Sequence, residues 1–171
     1  MLVAKKLLSK GQYHFPSQEY HCTARKMQSQ KELGLMIENA QKLHGHLGPF
    51  LVIGVRMGII ARKALCVADD QRTSLRANVK VPLFPPFSCL LDGIQASTSC
   101  TVGNQRLTIE NSEEICVSFA KQNAGRTVKI TLKPKVVQEL KKKISGCSLT
   151  EKFALELAHM PENQLFNVKT Q

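Results

Sequence analysis

Tryptophan is absent from the 171 residues of this chain, and aromatic side chains make up only 5%. The core must therefore be filled by aliphatic side chains. Acidic residues are scarce: 13 Asp and Glu stand against 24 Lys and Arg, for a net charge of +11. That balance admits a nucleic acid, an anionic cofactor or an acidic protein as partner. It also admits a simply basic solvated surface, the reading adopted because no nucleic-acid motif accompanies the charge. No two of the six cysteines (Cys22, Cys66, Cys89, Cys100, Cys116, Cys147) are spaced as C-x-x-C, which excludes a zinc ribbon and a thioredoxin-like pair. Nothing resembles a secretory apolar segment, so a cytoplasmic protein with reduced thiols is expected. The longest apolar run, Leu47 to Ala61, is interrupted by Arg56. It also falls short of the roughly 20 residues of a membrane span, so no membrane partner is expected. No internal repeat or low-complexity tract is present.

With 171 residues and 43% apolar content, there is enough chain for one domain with a real core. Residues 1–28 are basic and lack a sustained apolar period, which predicts a flexible extension ahead of a single domain over 29–171. Ser29 and Glu32 have the spacing of a capping box. Leu33, Ile37, Ala40 and His44 follow at helical spacing, with Met36 and Leu43 alongside, predicting a helix over about 30–44. Gly45 suits the position after its end, and Pro49 opens a second helix over about 50–66, apolar on nearly every side. Gly54, Gly58 and Ala61 form a stripe of small residues on it, fit for close packing against another backbone. Arg56, inside that helix, needs an anionic partner or a route to solvent.

Leu75, Ala77, Val79 and Val81 alternate with polar residues, predicting a half-buried strand. Pro82, Pro85 and Pro86 stop it. Asp92 is expected to cap a short helix, with Cys100 near that helix's C-terminal end. Strands over 105–110, 115–119 and 128–132 follow, the last two joined by a hairpin loop at Asn123-Ala124-Gly125. Pro134 opens a helix whose Lys141-Lys142-Lys143 end is solvated. A second capping box at Ser148 and Glu151 precedes a last helix over 149–159. Helices clustered around a run of strands give an α+β fold, helices packed on a small mixed or antiparallel sheet.

The candidate site lies at the junction of the first two helices. His44-Gly45-His46-Leu47-Gly48-Pro49-Phe50 places two imidazoles, a freed backbone and a helix N-terminus in one small volume, and that N-terminus favours an anion. This stretch resembles the H-G-H-x-C-P-G motif of the FmdE/FwdE family, the E component of formylmethanofuran dehydrogenase. The family motif runs on into an apolar helix, here Gly54-Val55-Arg56-Met57-Gly58. A second family motif, C-x-x-D-[GA]-I-Q-x-x-T-G-C-T-x-G, is similar to the run from Cys89 to Gly103. Leu132-Lys133-Pro134 and the closing Met160-Pro161 to Val168 segment resemble the family too, so the likeness covers about residues 30–168.

The resemblance implies an α+β fold, often dimeric, with a metal-capable groove. The site would use His44 and His46 of the first motif and Cys100 of the second, with Cys89 a further candidate ligand. Two nitrogens and a sulfur suit Zn2+ or another divalent transition metal. Three protein ligands would leave one position for an acidified water. Asp92 would then orient a histidine or act as a base. Nucleophilic catalysis by Cys100 with a histidine is a weaker alternative. Gly48 stands where the family has cysteine, which weakens the site, opens a coordination position or removes the metal. Phe50 and Ser99, each in place of glycine, are expected to narrow the groove. No two cysteines here have the spacing of the zinc ribbon that some members carry after this domain, so none is expected within these residues. No residues here would hold a pterin, molybdenum, tungsten or an iron–sulfur cluster, so the dehydrogenase reaction is not assigned to this chain.

The leading expectation is a metal-binding accessory protein that partners itself or the subunits of formylmethanofuran dehydrogenase or a related oxidoreductase. A family member that has lost the metal and binds an anionic ligand is the second reading. A nucleic-acid-binding protein acting through residues 1–28 is the third.

Overall fold

A computed structural model describes residues 18–68, 74–122, 124–146 and 150–171, with side chains from residue 30 onward. The chain divides into two compact units, Met1–Lys31 and Glu32–Gln171, and the second carries the fold considered below. The elements in order are helices α1 (Gln18–His44) and α2 (Pro49–Ala64), strand β1 (Leu75–Val81), a 3-10 turn (Phe87–Cys89) and α3 (Leu90–Thr98). Strands β2 (Leu107–Asn111), β3 (Cys116–Lys121) and β4 (Thr127–Leu132) follow, then α4 (Pro134–Ser145), α5 (Glu151–His159), a single turn α6 (Glu162–Leu165) and β5 (Phe166–Thr170).

Five strands form one mixed sheet in the order β2-β1-β3-β4-β5. β1 and β2 are parallel, joined by the crossover through α3; the other pairs are antiparallel. Alternation along β1 buries Leu75, Ala77, Val79 and Val81, and the same period buries Phe119 on β3 and Val128, Ile130 and Leu132 on β4. These residues make one face of the sheet the floor of the core.

Helix α2 is the centre of that core. Fourteen consecutive residues, Pro49 to Arg62, are buried, and each large apolar side chain among them is worth about 1.5–3 kcal/mol of transfer free energy. Its small-residue stripe does meet another backbone, that of α3. A Cβ placed on Gly54 would lie 2.1 Å from the Leu90 carbonyl oxygen, and one on Gly93 would lie 2.1 Å from that of Leu51. Neither position can hold a side chain while the two helices keep this approach.

Arg56 reaches neither an anion nor open water. Its Nη1 donates to the carbonyls of Leu157 and Met160, at 2.6 and 2.5 Å, at the C-terminal end of α5. The guanidinium also lies 5.7 Å from the centre of the Phe166 ring. Carbonyls left over at a helix C-terminus carry partial negative charge and need donors, so two requirements are met by one contact. Burial pushes the Arg56 pKa down, and the Glu162 charge offsets only part of that.

Several expectations are corrected. Helix α1 begins at Gln18, so Ser29 lies inside it and does not cap it; residues 1–17 of the expected extension lie outside the described residues. Leu43 is 59% exposed rather than part of the buried stripe, which consists of Met36, Ile37 and Ala40. Asp92 sits in the first turn of α3 rather than at its cap. Ser148 lies outside the described residues, as does Asn123 of the hairpin loop, and the cap of α5 is Thr150, whose side chain accepts from the Phe153 amide. Strand β5 and α6 have no counterpart among the expected elements.

Ser99 ends α3 in the left-handed region, at φ 59 and ψ 16. Only glycine takes that conformation without strain, which explains the glycine in the motif that this stretch resembles. Ser99→Gly is expected to raise stability by roughly 0.5–1 kcal/mol, measured as a rise in the urea midpoint. A fall would show that serine makes a compensating contact.

Candidate metal centre

The C-terminal end of α1, the loop after it and the first turns of α2 and α3 meet at one place. Helix α1 stops at His44 because Gly45 takes φ 93, a conformation that ends helices. Pro49 fixes the start of α2, with Gly48 as its extended N-cap and no side chain bonded to the freed amides. The turn is short enough to bring the rings of His44 and His46 to 4.5 Å between centres, tilted by 40°. His46 is exposed, but its Nε2 faces the α2 N-cap: a Cβ placed on Gly48 would lie 3.5 Å from it.

Asp92 arrives from α3. Its Oδ2 lies 2.7 Å from His44 Nδ1, with the His44 side chain 13% and the Asp92 side chain 33% exposed. The other carboxylate oxygen accepts from Gln95 Nε2 at 3.0 Å, one turn further along the same helix. Asp92 is thereby fixed on both oxygens and in turn fixes the His44 ring. The Nδ1–carboxylate contact favours the tautomer with hydrogen on Nδ1 and a lone pair on Nε2. That Nε2 is buried and has no hydrogen-bond partner in the protein. A buried imidazole nitrogen without a partner is costly, and its ring is held in the orientation that metal-binding histidines adopt.

Cys100 is not brought to the histidines. It lies eight residues beyond Asp92, past the opposite end of α3, roughly 12 Å along the helix axis. Its Sγ donates to the Leu75 carbonyl at 3.3 Å, wholly buried against the start of β1. Burial pushes its pKa up, outweighing the hydrogen bond from Thr98 and the charges of Arg106 and Arg76. It is a protonated core thiol, neither a free ligand nor an activated nucleophile. Cys89, half-buried at the N-cap of α3, lies on the Asp92 side of that helix. Its pKa too is pushed up, by burial first and then by the Asp92 charge. Among the described residues no group of three or more His, Cys, Asp or Glu is arranged to hold a metal ion.

Phe50 does not narrow the groove either. It is 1% exposed and packs on Phe87 at 4.9 Å between ring centres, inside the core. Ser99, at the C-terminal end of α3, is likewise remote from Asp92.

A family model described as FmdE, molybdenum formylmethanofuran dehydrogenase operon, matches residues 43–170. The chain belongs to the FmdE family. The match opens one residue before His44 and closes on the last residue of β5, so it takes in the starts of α2 and α3 and the whole sheet. A tungsten formylmethanofuran dehydrogenase FmdE-like protein from Syntrophus aciditrophicus has the same fold, with a TM-score of 0.61 and 22% identity over 81% of this chain and 71% of that one. A probable S-adenosyl-L-methionine-binding protein of Archaeoglobus fulgidus is 37% identical over 78 residues, 46% of this FmdE chain. Those residues span only 21% of the Archaeoglobus protein's length. Among the described residues of this FmdE-family chain, no helix is long and apolar enough to cross a membrane.

Proposed function

We propose that this FmdE-family chain is an accessory protein that holds a divalent transition metal, of the Zn2+ class, on His44 and His46, with Asp92 orienting His44. The observation that carries the reading is the His44 ring: clamped through Nδ1 by a carboxylate, with a buried and unpartnered Nε2. Imidazole nitrogens suit such ions, and a carboxylate behind the ring raises ligand basicity. A bound ion would act as a Lewis acid toward an oxygen-bearing ligand. The protein's own part is to fix the His44 tautomer, to present the amides of the α2 N-terminus nearby and to carry a two-histidine donor set. With so few protein donors, the remaining positions belong to water, a ligand or a partner chain. A second copy of this chain, or subunits of formylmethanofuran dehydrogenase or a related oxidoreductase, are the partners that suit an accessory role.

Gly48 provides the sharpest test. Its backbone is extended, φ −132 and ψ 157, and a Cβ there meets nothing closer than His46 Nε2 at 3.5 Å. Gly48→Cys therefore adds a thiolate donor beside an imidazole without strain. Competition titration with Zn2+ against a chromophoric chelator is expected to show at least about tenfold tighter binding in this variant, about 1.4 kcal/mol. Equal affinity in Gly48→Cys and the wild type would count against a metal at this place.

A second reading is favoured by the bare α2 N-terminus, which has neither a side-chain cap nor an acidic residue in its first turn. On that reading the cleft holds an anionic group, such as a carboxylate, without a metal. S-adenosyl-L-methionine, the ligand in the name of the Archaeoglobus protein, carries one. Equilibrium dialysis with that compound, with and without chelator, separates the two readings: binding that survives the chelator favours the second.

A further inference from the structure

The sheet has a second face. Alternation that buries one side of β1 leaves Arg76 and Asn78 exposed on the other, with Thr108 of β2, Ser118 of β3 and Lys129 of β4 exposed in the same row. Antiparallel and mixed sheets commonly leave one face to water, so exposure alone says little. The chemistry of this face is less ordinary. A depression of ≈ 210 Å³ opens over the β1–β2 and β1–β3 seams, between Arg76 and Arg106 on one side and Ser118 and Thr127 on the other. It exists because Ala120, between Arg76 and Thr127 in the ladder, is too short to fill the space. Among the described residues, no carboxylate lines it.

The two arginines are held in place. Ala77 N donates to the Arg106 carbonyl at 2.8 Å, which sets Arg106, just ahead of β2, beside Arg76 of β1. Arg76 Nη1 donates to the Gln105 carbonyl at 3.3 Å, and with the Gln122 amide oxygen turned toward it, Nη2 and Nε donate at 3.1 and 2.9 Å. Arg106 Nη2 donates to the Ser99 carbonyl at 3.3 Å. Guanidiniums fixed in this way lose less freedom when a ligand arrives. Among the described residues, Glu110, one row further on, pairs with Lys80 at 3.0 Å, and Glu114, ahead of β3, pairs with Lys129 at 3.4 Å. Among the described residues that line the depression, the charged ones are both arginines.

We propose that this depression binds a phosphoryl group of a small anionic ligand. Arg76 and Arg106 supply charge-assisted donors, and the Asn78 amide and the hydroxyls of Thr108, Ser118 and Thr127 supply neutral ones. The site lies on the opposite face of the sheet from the core and uses none of the residues of the histidine cleft.

Isothermal titration calorimetry of the full chain with inorganic pyrophosphate, at low salt and with a chelator present, tests the proposal. One saturating site per chain is expected. Arg76→Gln and Asn78→Asp, both at exposed positions, should each weaken binding by about tenfold or more. Lys152→Gln on α5 and His44→Ala should leave it unchanged. A thermal melt of each variant separates lost binding from lost fold. Absence of saturable binding, wild-type affinity in both Arg76→Gln and Asn78→Asp, or binding of a single-stranded oligonucleotide but not of pyrophosphate would each overturn the proposal.

Discussion

Gly93→Ala is expected to lower the stability of the domain by about 3 kcal/mol or more. Helix propensity alone predicts the opposite sign, since alanine is favoured over glycine inside a helix by about 1 kcal/mol. The clash decides. The new Cβ would stand 2.1 Å from the Leu51 carbonyl oxygen and 2.7 Å from the Val55 amide nitrogen. Both are backbone atoms of a buried helix and have no rotamer to move to, so α3 must retreat from α2. Gly34 is the control: it lies in α1, exposed, with nothing within 4 Å of a Cβ, and Gly34→Ala should be neutral to stabilising by up to about 1 kcal/mol. Thermal denaturation distinguishes the two, at roughly 2–4 °C per kcal/mol for a domain of this size. A melting temperature for Gly93→Ala within a degree or so of the wild type would mean that the helices do not touch so closely. Since Asp92 precedes Gly93, the same close packing sets the distance from Asp92 to His44.

The second large effect concerns that pair. On the proposed function, Asp92→Asn is expected to weaken metal binding by about 10–100-fold, the usual cost of removing a carboxylate behind a metal-binding histidine. Asparagine keeps the size of the side chain, but it carries no charge and presents an amide nitrogen at one of the two positions. His44 then loses its anionic clamp while the fold keeps its shape. Zn2+ competition titrations of the two proteins, alongside their melting curves, check this. Unchanged affinity would mean that the Asp92–His44 contact serves packing alone.

Much of the architecture was legible in the residues. Pro49 announced the start of α2, the alternation from Leu75 to Val81 announced β1, and Val128, Ile130 and Leu132 announced β4. The small-residue stripe on α2 announced a close helix neighbour, which proved to be α3. What escaped notice lacked a local signal. In β5 only Phe166 is buried, so the strand has no two-residue period to read and depends on its pairing with β4. Arg56 finds its partners a hundred residues away at the end of α5, and nothing near position 56 names them.

The site was legible in part. His44 does lie against both His46 and Asp92, residues that the two motifs singled out. Cys100 shares a motif with Asp92, and that shared motif suggested a shared pocket. Helix geometry separates them, because two turns of α3 lie between. A residue's membership in a sequence motif fixes its distance along the chain, whereas the helix fixes its distance in space.

The most direct test of the central claim is the zinc content of purified, full-length protein after equilibration with Zn2+ and removal of excess, compared between the wild type and His44→Ala. One zinc per wild-type chain and none in His44→Ala is the predicted result, with both proteins folded by circular dichroism. Equal zinc in the two proteins would contradict the account, since it would leave the buried Nε2 of His44 without the role assigned to it.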